Sequence, residues 1–300
     1  MCLLERACCT GALKHSVPVQ DAPPPCVNTL IVGAGLSGLS LAAAFLEHGE
    51  KRVTVLEKAA VVGGVWTLYG NHFSRVNVSG PGYQLPTSRT HVRSSSMHPY
   101  HADVLADVLD VIQAHGLAPH IFVSTEVRSV TRKAIKPVQW STIGASQATD
   151  FQIVSKMVCI CTNRRLGAPR AVSFVGEDSF TGGIYRGLSN DTASLDWAVS
   201  NVLVIGMGAY AVEVMRAALE QEEGANNVTL LARQRTTVLP RVMDWLNYIR
   251  PWDAEFRSRP RRGNAIIQMA VQKLYASCGA PQPARFKPDG AWLMLAGARV

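Results

Sequence analysis

Apolar positions along this chain fall into two similar blocks. In the first, "TLIV" at 29–32 leads into Gly33-Ala34-Gly35-Leu36-Ser37-Gly38, then "LSLAAAFLEHG", then "RVTVLE" ending at Glu57. A short apolar run, a glycine turn, a longer apolar stretch and a second short run predict strand, turn, helix and strand. In the second block "NVLVIG" passes through Gly206-Met207-Gly208-Ala209-Tyr210-Ala211 into "VEVMRAALE", and "NVTLLAR" ends at Arg233. Between the blocks, "HPYHADVLADVLDVIQAHGL" repeats apolar residues at helical spacing (Val104, Leu105, Val108, Leu109, Val111, Ile112) and stops at Gly116. Strand-like pieces lie at 121–130 and 151–160, and the Gly-, Pro- and Ser-rich stretches 59–98 and 163–195 predict loops.

This alternation predicts a parallel α/β protein with two Rossmann-like nucleotide-binding domains. A flexible leader at 1–26 precedes a first domain at 27–195 and a second at 196–300, which ends in a cap-like segment containing "DWLNYIRPWD". Residues 30–46 carry no charge but are shorter than the ~20 residues of a membrane helix, and a strand plus a buried helix explains them, so no membrane span is expected.

Composition narrows the classes further. With 47% hydrophobic and 17% charged residues among 300, the chain can bury large cores and does not read as disordered. The net charge of +8 is scattered apart from "RSRPRR" at 257–262, with no aromatic-interleaved basic motif, so nucleic acid is not an expected partner. Seven cysteines form no CxxC pair or disulfide ladder, which suits a reducing, cytoplasmic compartment. "HPYH" has a metal-like gap but no second pair, so no metal is expected. No GxSxG elbow is present, and no cysteine pair follows the first helix as a disulfide reductase of this fold would need.

Each part of the first block has a physical task. Gly33 permits the tight turn, Gly35 lets a pyrophosphate approach the backbone, and Gly38 lets helix and strand pack closely. The helix N-terminus offers free N–H groups to the phosphates. Glu57, 19 residues after Gly38, is placed for ribose hydroxyls and would repel a 2′-phosphate, which suits FAD or NAD. In the second block the third glycine is Ala211, and the strand ends at Arg233 with Arg235 following. Arginine in place of the acid can pair with a 2′-phosphate, which points to NADPH. A bound flavin and a nicotinamide that delivers hydride to it would account for both turns.

The order of motifs, with "GGVW" at 63–66 and "VIGMGAYAVE" at 204–213, resembles the class B flavin-dependent monooxygenases, which include Baeyer–Villiger enzymes; the likeness runs from about residue 27 to 240. The resemblance implies FAD contacts at Gly33, Gly35, Leu36, Ser37, Gly38, Glu57, Lys58, Gly64, Val65 and Trp66. It implies NADPH contacts at Gly206, Gly208, Ala209, Ala211, Arg233 and Arg235. It further implies a C4a-(hydro)peroxyflavin that oxygenates a small organic substrate with O₂, with Asn77 of "SRVNVSGPG" near the flavin.

Three departures stand against it. The family's FxGxxxH signature reads "FTGGIYRGLSN", with Arg186 at the histidine and Asn190 at the following aromatic position. Arg186 could still pair with NADPH phosphates, or be a solvated arginine. The usual ATG is Cys161-Thr162-Asn163. In the family the NADPH domain is an insertion within the FAD domain. No returning strand is recognisable at 241–300, so the C-terminal part of that domain is expected to be missing from this chain. The alternatives are a degenerate nucleotide-binding protein without oxygenase activity, or an NADPH oxidase releasing H₂O₂.

Overall fold

A computed structural model describes residues 17, 18, 20, 22–77, 85, 99–135, 137–146, 149–163, 172–220 and 224–233. These divide into two compact units, one reaching to Ala193 and the other formed by 77–79 and the chain from Ser194.

The first unit is built on a six-stranded sheet. Strands β1 (Cys26–Val32), β2 (Val53–Leu56) and β3 (Ile121–Phe122) run parallel to one another. On the other side of β1 lies β6 (Asp150–Ile160), also parallel to it, followed by β5 (Val138–Ala145) and β4 (Glu126–Ile135) in antiparallel pairing. The spatial order is β3-β2-β1-β6-β5-β4. All four residues of β2 are buried, as expected of an interior parallel strand covered on both faces.

Helix α1 (Leu36–Glu47), the short α2 (Val65–Leu68) and α3 (His101–Ala114) join these strands. Leu39, Ala42 and Ala43 of α1 pack with Ile31, Val53 and Val55 of the sheet and with Leu105, Val108, Val111 and Ile112 of α3. The small alanines let α1 lie close to the sheet. On the opposite face Leu30, Leu56, Phe122 and Ile153 form a second cluster.

The periodic helix of the sequence is thus α3, and the first block is β1-α1-β2. The strand reading at 121–130 was too coarse. A break at Ser124, which takes a left-handed φ of 50°, and Thr125 separates β3 from β4. Strand β5 was not expected at all: its burial is irregular along its length, so its sequence shows no clean alternation.

The second unit contains a parallel pair, β7 (Asn201–Ile205) and β8 (Asn227–Leu231), connected by α4 (Ala209–Glu220). This is the strand–turn–helix–strand order of the second block. Among the described residues, no helix is long and apolar enough to cross a membrane, and no group of three or more His, Cys, Asp or Glu could hold a metal ion.

Candidate dinucleotide-binding sites

The first glycine turn joins β1 to α1. Gly33 takes φ +105°, and a Cβ there would lie 2.8 Å from the Cys161 carbonyl oxygen. A Cβ on Gly38 would meet the Gly33 carbonyl oxygen at 1.9 Å. These two glycines are demanded by the protein's own backbone. Gly35 differs: its φ is −79°, which any residue adopts, and the nearest atom to an added Cβ is the Gly64 Cα at 3.7 Å. Gly64 faces it from the "GGVW" turn with φ +59°. The space between two bare backbones at Gly35 and Gly64 is a cradle that a side chain would fill.

Helix α1 begins directly behind that cradle. Its N-cap Gly35 makes no side-chain cap, and its first turn holds no acid. Leu39 donates the first i→i−4 bond, to Gly35 at 3.0 Å. The N–H groups of Leu36, Ser37 and Gly38 precede it and point out of the helix end, where an anion gains most from them.

Glu57 closes the side of the turn. Its Oε2 accepts the Ala34 N–H at 2.7 Å and its Oε1 accepts the Ala59 N–H at 2.8 Å. A carboxylate has about four lone-pair positions, so acceptors remain for two hydroxyls. Lys58 points to the surface, where its Nζ pairs with Glu126 Oε1 at 2.7 Å, both side chains being well exposed. Val65 and Trp66 open α2, and the Trp66 carbonyl oxygen lies 2.7 Å from His101 Nε2.

Cys159 and Cys161 stand two apart on the end of β6 and its exit, packed against the core beside the turn. Burial raises both thiol pKa values, and Cys161 is raised further by its neighbour Cys159. A raised pKa means less thiolate at a given pH. Iodoacetamide at pH 8 is therefore expected to label Cys159 and Cys161 more slowly than the exposed Cys26, read by peptide mass spectrometry. Equal labelling would contradict this packing.

The second turn repeats the backbone logic. Gly206 takes φ +118° and donates to Leu231 O at 2.8 Å, while a Cβ on Gly208 would meet nothing within 4 Å. Ala211 sits 3.9 Å from where a Gly206 Cβ would lie, so alanine fits as the third member of this turn. Ala209 starts α4, and Arg233 is exposed just past β8. Arg235, the "RSRPRR" cluster, His98 and the segment 241–300 lie outside the described residues.

Asn77 is half-buried and groups with the second unit, and its buried Oδ1 has no hydrogen-bond partner among the described residues. Arg186 is exposed, with its backbone N–H held by Asp191 Oδ2 at 2.6 Å. Sequence reasoning missed Asn71 and His72, which tie the loop at Arg186 to the stretch after the "GGVW" turn, and Asp191, which holds that loop's own backbone. The partners of Asn71 and His72 lie more than a hundred positions away, and no local pattern marks them.

Two glycine turns, each joining a strand to a helix in a parallel βαβ unit, define a dinucleotide-binding α/β protein. The model of the NAD(P)-binding Rossmann-like domain matches residues 31–108. A Baeyer–Villiger monooxygenase of Streptomyces coelicolor is 26% identical over 235 residues, covering 72% of this chain and 40% of that protein. The FAD-containing monooxygenase EthA of Mycobacterium tuberculosis is 26% identical over 224 residues, covering 71% and 43%. Among solved structures, an oxidised steroid monooxygenase bound to NADP superposes with a TM-score of 0.58 at 20% identity, covering 83% of this chain and 45% of that one. OTEMO in complex with FAD and NADP gives 0.57 at 21%, covering 73% and 41%. The chain is thus similar in sequence to Baeyer–Villiger and FAD-containing monooxygenases and shares a fold with solved monooxygenase structures. It spans about 40% of the length of these curated relatives.

Proposed function

We propose that the chain binds FAD at the Gly33–Gly38 turn and NADPH at the Gly206–Ala211 turn, and acts as an NADPH-dependent flavin monooxygenase on a small organic substrate. The observation that carries the reading is the Gly35–Gly64 cradle in front of an uncapped α1, with Glu57 at its side. FAD when bound supplies two-electron redox chemistry and reaction with O₂, and NADPH supplies the hydride.

The protein's own part is binding and orientation. The N–H groups at the start of α1 take the pyrophosphate, and Glu57 takes ribose hydroxyls with its spare acceptor positions. Gly64, Val65 and Trp66 form the far wall. In the second unit the N-terminus of α4 takes the other pyrophosphate, and Arg233 with Arg235 takes the 2′-phosphate. Asn77 is the residue assigned to the flavin edge.

The exposed Arg186 at the signature's histidine position favours a second reading, an NADPH oxidase that releases H₂O₂. The visible spectrum of the purified chain tests the first step: a yellow protein bleached by NADPH is expected, and a colourless one that FAD cannot reconstitute would refute the reading. H₂O₂ formed per NADPH consumed then separates oxidase from oxygenase. In the same assay Arg233→Ala is expected to weaken NADPH on the order of 10- to 100-fold, the worth of a charge-assisted contact, and to leave NADH nearly unchanged. Equal loss for both would remove the 2′-phosphate assignment.

A further inference from the structure

The wall that faces the first glycine turn cannot hold its own shape. Helix α2 is a single turn of four residues, none of them buried, and its N-cap Gly64 has no side chain to cap it. One turn of helix is unstable in water, so its position comes from bonds to its surroundings. At its near end the Gly63 N–H donates to Ala34 O at 2.9 Å. Ala34 is also the residue whose N–H Glu57 accepts, so this end is tied to the glycine turn itself. Thr67 Oγ1 donates to Val62 O at 2.7 Å, and at the far end His101 Nε2 lies 2.7 Å from the Trp66 carbonyl oxygen.

His101 is a firm anchor for that far end. It opens α3, is 8% exposed, and donates its backbone N–H to Ser74 O at 2.8 Å. Leu105, Val108 and Val111 of the same helix are fully buried in the core with α1 and the sheet. A carbonyl oxygen only accepts, so the contact with Trp66 requires the proton on His101 Nε2. Carbonyls at a helix end lack donors within the helix, and histidine is among the side chains that supply one.

Gly70 keeps the approach open. A Cβ there would lie 2.5 Å from His101 Cδ2 and 2.6 Å from Trp66 O. Its φ is not left-handed, so the contact, and not the backbone, is what requires glycine at 70. The carbonyl so anchored stands two residues after Gly64. A Cβ on Gly64 would lie 3.0 Å from Gly35 Cα, so the two bare backbones are close, and a small shift at Trp66 changes what fits between them.

We propose that His101 is a positioning residue of the first-unit site: its Nε2–H pins the Trp66 carbonyl and so holds Gly64 at the spacing from Gly35 that admits a dinucleotide's pyrophosphate. The inference rests on the FAD reading above, and every group in it lies in the first unit.

The clasp itself is read without flavin. ¹⁵N NMR of the histidine-labelled chain, with the His101 signals assigned by their loss in His101→Gln, is expected to show Nε2 protonated. An Nδ1-protonated His101 overturns the inference.

Titration of the flavin-free proteins with FAD, followed by quenching of its fluorescence, tests the positioning role. His101→Phe keeps a ring and removes the donor, whereas Gly70→Ala keeps the imidazole and pushes it off the carbonyl. Each is expected to raise the Kd for FAD about 5- to 10-fold, the worth of one net hydrogen bond. His101→Gln, whose amide NH₂ can stand where Nε2–H stood, is expected to bind FAD within about twofold of the natural chain. A merely structural histidine would lower the melting temperature and leave the FAD affinity of the folded protein alone. Folded His101→Phe or Gly70→Ala with natural FAD affinity therefore overturns the role, and so does equal weakening in His101→Gln and His101→Phe. A natural chain that shows Nε2 protonated yet binds no FAD overturns the flavin reading and the role with it, while leaving the clasp.

Discussion

Gly38→Ala is expected to melt on the order of 10 °C below the natural sequence, whereas Gly35→Ala melts within about 2 °C of it and fails to hold flavin. The two glycines sit three residues apart in one motif, so composition and spacing treat them alike. Their surroundings do not. A Cβ at 38 would lie 1.9 Å from the Gly33 carbonyl oxygen, which belongs to backbone and cannot swing aside. Overpacking costs about 1–3 kcal/mol and more where nothing yields, and each kcal/mol is worth roughly 2–4 °C in a domain of this size. At 35 an added methyl meets no protein atom closer than 3.7 Å and the φ of −79° suits alanine. The gain of about 0.4–1 kcal/mol from a stiffer unfolded chain roughly offsets the poorer N-cap. The methyl then occupies the cradle, so the loss falls on the ligand alone. Thermal melts of the flavin-free proteins together with flavin absorbance after reconstitution measure both halves. A Gly35→Ala protein that reconstitutes like the natural one would show that no pyrophosphate crosses this turn.

The two βαβ units and the long helix were legible because their signals are local. An apolar run, a glycine turn and a 3.6-residue period each lie within a dozen positions. What stayed hidden was long-range. Strand β5 belongs to an antiparallel excursion, β4-β5-β6, whose last strand returns to pair with β1, and only that long-range register, from Cys26 with Val154 to Val32 with Ile160, reveals the return. Asn71 looked like an ordinary loop asparagine in "YGNHF", yet it is fully buried against residues 116 to 119 positions on. The departures at 186 and 190 were visible as departures. Their structural content was not, because it depends on the left-handed backbone at Ser189 and Asn190 and on His72 arriving from another segment. Lys58 is assigned to a cofactor by its place beside the motif, and the fold adds what the sequence does not show, its pairing with Glu126 on the surface.

Glu57→Gln is the second large effect, expected to appear even without flavin. The motif assigns this acid to a ribose, and on that assignment alone the flavin-free variant would melt with the natural protein. The fold gives it a further task. One carboxylate oxygen accepts the Ala34 N–H inside the glycine turn, and the other accepts the Ala59 N–H after β2. Glutamine has one acceptor oxygen, so its NH₂ group would confront one of the two N–H groups, and a half-buried donor would be left unpaired. That costs about 1–3 kcal/mol. A loss of roughly 2–12 °C follows for the flavin-free chain, together with weaker flavin binding. Aspartate does not rescue it, because a side chain one methylene shorter cannot bridge both N–H groups. The same geometry shows why this position suits a ribose better than a phosphate. The carboxylate already spends its charge on the turn that would receive the pyrophosphate, and a second anion at its own oxygens would be repelled, whereas neutral hydroxyls can donate to the acceptors left over. If flavin-free Glu57→Gln melts with the natural protein but loses flavin, the carboxylate serves the ligand only, and the turn holds its shape without it.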